Sequence, residues 1–130
     1  MHPDRHREFE TIMTRSVFPR IPQAIPAARK WAVRQYENAG GKQPDLCALL
    51  VSELATNAVE HAEGDRFEVT VWASLKVEVK DFSPKLPEPQ IPTAEDENGR
   101  GLFLVSELAS HFEVVPVPDG KISAFQLDEG

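Results

Sequence analysis

Apolar positions change period several times along the chain, and each period predicts an element. Phe9 to Phe18 reads as a first strand, weakly patterned and flanked by Pro19 and Pro22. From Gln23 to Asn38 the spacing is helical, through Ala27, Ala28, Trp31, Val33 and Tyr36, and Gly40-Gly41 ends it. Pro44 opens a second helix where its missing N–H does no harm, and Gly64 closes that helix. Phe67, Val69, Val71 and Ala73 then alternate with Glu68, Thr70 and Trp72, which is strand periodicity. Leu75, Val77, Val79 and Asp81 alternate with Lys76, Glu78 and Lys80, so the next strand also buries one face, and its last inward position is an acid. Pro84, Pro87, Pro89 and Pro92, followed by Glu95, Asp96 and Glu97, suit no regular element. A short helix is predicted from Gly101 to Ser110, then strands from Phe112 to Val117 and Lys121 to Leu127, turned at Asp119-Gly120. Elements of one kind are grouped rather than alternating. That order predicts an α+β fold, a two-layer α/β sandwich with helices on one face of a mixed, mostly antiparallel sheet. There is no internal repeat, and residues 1–130 read as a single domain.

The second helix carries the chemistry. Glu53, Asn57 and His61 lie four apart in Asp45-LCALLVSELATNAVEHA. On a wheel with Glu53 at zero, Leu46, Leu50 and Leu54 fall near 20°, 60° and 100°, with Asn57 near 40° and His61 near 80°. The row therefore points at the face expected to be buried. Burying an amide-like group without a partner costs roughly 2–7 kcal/mol, so something polar must meet it. An internal hydrogen-bond network would do so; three residues in register favour a ligand. Asn57 can offer a carboxamide oxygen to Mg²⁺, which needs few protein ligands when phosphate and water supply the rest. Glu53, one turn away, is placed to accept a proton or orient a water. His61 is expected only to complete the network.

Two further places complete a constellation. Asn98-Gly99-Arg100-Gly101-Leu102 runs directly into the short helix with its apolar Leu102, Phe103, Val105 and Leu108. Two glycines allow close backbone approach, and free N–H groups at a helix start favour an anion, although a tight turn has the same signature. Asp81 is either a turn-forming aspartate, since Ser83-Pro84 follows, or an acceptor for an exocyclic amino group. Taken together, the three places imply a purine nucleoside triphosphate: base at Asp81, magnesium at Asn57, phosphates near Gly99 and Gly101.

Composition narrows the setting. Hydrophobic residues make up 41% and charged residues 27% of 130, ordinary for a globular chain. A net charge of −7 argues against a nucleic-acid or anionic-membrane surface and suits a partner with a basic patch. No segment approaches membrane-span length, and the start MHPDRHREFE lacks a signal-peptide run. Cys47 stands alone within the apolar helix, consistent with a small core residue in a reducing, cytoplasmic compartment.

With these residues in place, the chain resembles the GHKL, or Bergerat-fold, ATPases. Glu53-Leu54-x-x-Asn57-Ala58-x-x-His61 is similar to their N-box, Asp81 stands where their first glycine box has its adenine-binding aspartate, and Gly99-x-Gly101-Leu102 matches their second. The subgroup it most resembles is the small bacterial anti-sigma factor serine kinases. That resemblance implies ATP and Mg²⁺ as cofactors, with nucleotide held by Asn57, Asp81, Gly99, Arg100, Gly101 and Leu102 and with Glu53 as catalytic base. It also implies two partners, a sigma factor and a phosphorylated anti-anti-sigma antagonist of the STAS type, and places Arg29 at the partner contact. A homodimer is left open. The sequence departs from the family at the first glycine box, Asp-x-Gly-x-Gly, which here reads Asp81-Phe82-Ser83-Pro84-Lys85. Both glycines are gone, proline stiffens the loop, and acidic Glu95, Asp96 and Glu97 would repel a triphosphate. A non-catalytic regulator of the same fold is therefore the alternative to a kinase. A sensor histidine kinase is not expected, because the chain lacks room for a dimerisation helix pair, nor is a gyrase-like enzyme with its further domains.

Overall fold

The computed structural model describes residues 12–83 and 100–129 of the chain, with Arg100 and Gly101 described by backbone alone. The elements, in order, are β1 (Met13–Pro19), α1 (Ala24–Asn38), α2 (Pro44–His61), β2 (Arg66–Trp72), β3 (Val77–Asp81), α3 (Arg100–Leu108), β4 (His111–Val117) and β5 (Gly120–Gln126). The strands form one five-stranded sheet in the order β1-β2-β3-β5-β4. All four pairings are antiparallel, so the sheet among the described residues is not mixed. The helices pack on one face of it and the fold is a two-layer α+β sandwich. No helix among the described residues is long and apolar enough to cross a membrane.

The register sets which side chains meet the helices. Phe67, Val69 and Val71 of β2, Val77 and Val79 of β3 and Phe125 of β5 are buried on the inner face. Among the described residues the first strand begins at Met13; the expected start at Phe9 falls in residues 1–11, which lie outside them. Phe18 of β1 stacks on Phe67 and meets Trp31 edge-on, with ring centroids 5.6 and 6.1 Å apart.

Helix α1 buries Ala24, Ala28, Ala32 and Tyr36, a stripe four residues apart. The expected inward Trp31 and Val33 are only half-buried at its flanks, and Ala27 is exposed. Three alanines in line bring the α1 backbone close to α2. Helix α1 ends where Gly40 takes a φ of +100°, and the N–H groups of Ala39, Gly40 and Gly41 close on Gln35, Glu37 and Tyr36 carbonyls.

Helix α2 buries Cys47, Leu50, Val51, Leu54, Ala55, Ala58 and Val59. The centre of that face is about 150° from Glu53 on the helical wheel. The stripe of leucines used to predict the buried face is therefore only its edge, and the small residues define its middle. His61, expected to point inward, falls within the arc of that face but is the last residue of the helix, where its side chain is 46% exposed and its Nε2 lies 3.7 Å from the Glu60 carboxylate.

The chain's end returns to the α1–α2 turn. The Tyr36 hydroxyl donates to the Glu129 carboxylate at 2.8 Å, Lys42 N–H donates to the same group at 2.9 Å, and Gln43 N–H donates to the Tyr36 oxygen at 3.0 Å. The Gln43 side-chain amide donates to the Asp128 carbonyl. Burial, and then the hydrogen bond to Glu129, push the Tyr36 phenol up to about 12. Burial likewise pushes the Cys47 thiol up to about 12, so it is a packing residue rather than a nucleophile.

Tyr36 is the chain's only tyrosine, so tyrosinate absorbance reports on it alone. The folded chain should titrate at about 12, and the denatured chain at about 10. Because the folded value is the higher, the stability Tyr36 contributes is complete below the unfolded pKa and is lost as pH rises through the folded one. Coincident titrations in folded and denatured chain would show that the phenol is not held this way.

Candidate functional site

Helix α2 is covered by the sheet, by α1 and by α3, and the flank bearing Glu53 and Asn57 stays polar. Both residues are half-buried. Asn57 Nδ2 is buried and makes no hydrogen bond with the described residues. Glu53 makes no hydrogen bond or ion pair with the described residues. A buried amide donor without an acceptor is costly by about 1–3 kcal/mol, so this flank is built to meet a group from outside the helix. The carboxamide can donate to an anionic oxygen or, turned about its terminal bond, offer its own oxygen to a cation.

The helix is anchored at its far end by Arg20. Its Nε donates to the Gly64 carbonyl at 2.6 Å and its Nη1 to the Val59 carbonyl at 2.7 Å. A guanidinium there satisfies an otherwise unpaired carbonyl of the last turn and suits the negative end of the helix dipole.

Asp81 ends β3 on the inner face, only 4% exposed. Its Oδ1 accepts the Ser83 N–H at 3.1 Å, so the turn-forming role foreseen for an aspartate before Ser83 is present. Its Oδ2 lies 3.6 Å from Lys121 Nζ. Lys121 is its cross-strand partner on β5 and shares the inner face. Gly120 makes that approach feasible: a Cβ there would overlap the Asp81 carbonyl oxygen.

Phe82, which follows Asp81, has the Arg66 guanidinium 4.0 Å and the Lys80 ammonium 4.6 Å from its ring centre. These cation–π contacts fix the strand end that the expected glycines would have left loose. Lys80 also pairs with Asp119 at 2.9 Å, tying β3 to the β4–β5 turn, and that hydrogen bond holds the Asp119 carboxyl below its usual range.

The other expected residues fall as follows. Gly99 lies outside the described residues, as does the whole segment 84–99 with its acidic Glu95, Asp96 and Glu97. Arg100 and Gly101 are the first residues of α3, and Leu102 is half-buried against the core. Arg29 is half-buried on α1, with Nη1 donating to Ser52 Oγ at 3.4 Å. It lines an open groove of about 610 Å³ together with Lys30, Val33, Arg34, Glu37, Asn38 and Ala48. Three cations face a single acid there, on a chain of net charge −7.

Lys121 and Arg20 escaped the sequence reading. Lys121 could have been found from strand phase, since it alternates with buried Ser123, Phe125 and Leu127 and so must point inward. Arg20, sitting between a strand and a helix, carries no pattern that marks it.

The model of the histidine kinase-like ATPase domain family matches residues 18–125, and the chain belongs to that family. No curated protein matches the chain.

The unpartnered Asn57 amide yields a test on stability alone. Asn57→Leu keeps the branched shape and heavy-atom count, removes the orphaned donor and improves helix propensity, so the ligand-free variant should unfold at a free energy higher by about 1 kcal/mol. Urea denaturation measures it; a clear loss of stability would mean that Asn57 is already satisfied within the fold.

Proposed function

We propose that this chain is an ATP-binding regulatory switch of the cytoplasm, which holds a sigma factor and phosphorylates a serine on an anti-anti-sigma antagonist of the STAS type. The observation that carries this reading is the buried Nδ2 of Asn57, without a partner among the described residues, one turn from Glu53, whose carboxylate pairs with none of them either. Those two side chains suit Mg²⁺–ATP: an amide able to present oxygen to a hard cation, and a carboxylate free to take a proton. Bound Mg²⁺–ATP would supply a transferable phosphoryl group together with the divalent charge that offsets its oxygens. Glu53 then serves as the base that receives the proton of the antagonist's serine hydroxyl. Asp81 accepts a hydrogen bond from the base's amino group, its Oδ2 having lone pairs beyond the ion pair with Lys121. Backbone groups of Arg100, Gly101 and Leu102 at the start of α3 take the phosphates.

Arg29 marks the partner side. The groove it lines is basic, and a guanidinium can hold a carboxylate of an acidic partner in a bidentate pair.

A second reading has its own observation. Asp81 is already engaged on both oxygens, by Ser83 N–H and by Lys121, and Phe82 is clamped by two cations. A chain that regulates by sequestration alone, with weak nucleotide binding, would tolerate such a strand end. Calorimetric titration of ATP with and without Mg²⁺ separates the two readings, and transfer from labelled ATP to a co-encoded antagonist tests the kinase. No measurable ATP binding would decide for sequestration.

Glu53→Gln should retain ATP affinity and lose most transfer, because the amide keeps the shape without the basicity. Wild-type transfer in that variant would make Glu53 structural. Asp81→Asn should weaken ATP binding about tenfold or more, since an acceptor is replaced by a donor facing the amino group; equal affinities would remove Asp81 as the base reader.

Arg29→Ala should weaken antagonist binding and phosphorylation while leaving ATP affinity unchanged. Its one side-chain hydrogen bond is a long one, so thermal stability should hardly move. Pull-down beside nucleotide titration decides it, and unchanged partner affinity would take Arg29 out of the interface.

A further inference from the structure

Lys121 has no place in the switch described so far, although its ammonium is the nearest cation to the buried aspartate on the inner face. The side chain is about three-quarters buried, being 26% exposed. At 3.6 Å the pair is electrostatic rather than hydrogen-bonded, beyond the usual N–H···O range. The ammonium therefore offsets the carboxylate's charge while its own N–H groups stay available to another acceptor. Asp81 is fixed in orientation by the Ser83 N–H, and Lys121 is fixed in register by the tight approach of Gly120 to the Asp81 backbone. An acceptor and a donor thus stand side by side on one patch of the inner face.

A lone aspartate can only accept. It suits the amino group of adenine and repels the carbonyl oxygen that 6-oxopurines carry at the same position. With an ammonium beside it the patch becomes two-sided. Adenine can give its amino hydrogen to Asp81. A 6-oxopurine can give its ring N–H to Asp81 and accept from Lys121 at its carbonyl. Three rotatable donors on a flexible stem let lysine follow either base.

We propose that Asp81 and Lys121 read the base edge together, and that the site admits 6-oxopurine nucleotides, GTP and ITP, as well as ATP. This rests on the nucleotide-binding reading above and adds Lys121 to it as a specificity-determining residue. Neither base needs a change of fold, only a different use of the same two side chains.

The test is calorimetric titration of the full chain with Mg²⁺–ATP, Mg²⁺–GTP and Mg²⁺–ITP. In the wild type GTP and ITP should bind within about tenfold of ATP, the scale of one charge-assisted hydrogen bond. Lys121→Met leaves a bare carboxylate facing the carbonyl, and should lower the GTP-to-ATP affinity ratio by about tenfold or more. Lys121→Arg keeps a charged donor and should hold that ratio within a few-fold. Thermal unfolding of each variant checks that it folds, and the wild-type comparison among nucleotides stands even if Lys121→Met does not. ATP binding with GTP and ITP excluded overturns the proposal and leaves the ATP reading intact, as does a ratio unmoved by Lys121→Met. Binding of none of the three overturns both readings together.

Discussion

The structure turns on how helix α2 is covered. Seven of its side chains are buried, most of them small or β-branched: Cys47, Val51, Ala55, Ala58 and Val59 beside Leu50 and Leu54. Small residues let the sheet, α1 and α3 all come close, and dense packing of that kind leaves little tolerance for a polar atom within it. Polar side chains on α2 consequently stay off that face: Ser52 and Thr56 bond back to carbonyls of the helix itself, and Glu53 and Asn57 stand on the remaining flank. Even there the packing is tight enough to bury the Asn57 amide nitrogen without giving it an acceptor. That is the opposite of what stability alone would select, and it gives the flank its functional meaning.

The other half of the site is held by backbone geometry rather than by a packed face. Asp81 is the last residue of β3 and Lys121 the second of β5. They are neighbours only because antiparallel pairing brings the two strand ends together, with a glycine at the point of closest approach. The outer face reinforces this arrangement, since Lys80 reaches both the Phe82 ring and Asp119 of the turn. A change on either face would therefore be felt by the carboxylate, through strand position before any direct contact.

How far the sequence foretold this follows from what each kind of pattern can carry. Element types and order were legible because helix and strand periods differ and because Gly40, Gly64, Pro44 and Asp119-Gly120 punctuate them. Asp81 could be assigned to the inner face by counting from Val77 and Val79, and it lies there, buried. The face of α2 was less legible. Large apolar residues dominate a hydropathy wheel, so the leucines drew the predicted stripe toward Glu53 and Asn57, whereas Cys47, Ala58 and Val51 form the actual centre. Register between β3 and β5 was not legible, because their connection passes through an entire helix and another strand. Strand phase could turn Lys121 inward, but only the register puts it beside Asp81.

Helix α2 also presents two separate surfaces. Glu53 lies on the polar flank, and its neighbour in sequence, Ser52, takes the Arg29 hydrogen bond on the α1 side. Successive helical residues diverge by about 100°, so one turn of the same helix serves two surfaces. Ala48, one turn earlier, lines the basic groove as well. The groove is thus built from α1 and one side of α2, and the candidate nucleotide site from the other side together with the sheet and α3. Substitutions at the groove can reshape it while leaving Glu53, Asn57 and Asp81 where they are. Anything that displaces α2 as a body must alter both surfaces, since no flexible segment lies between them. A rigid helix shared by two sites is the simplest physical route by which occupancy of one could be sensed at the other.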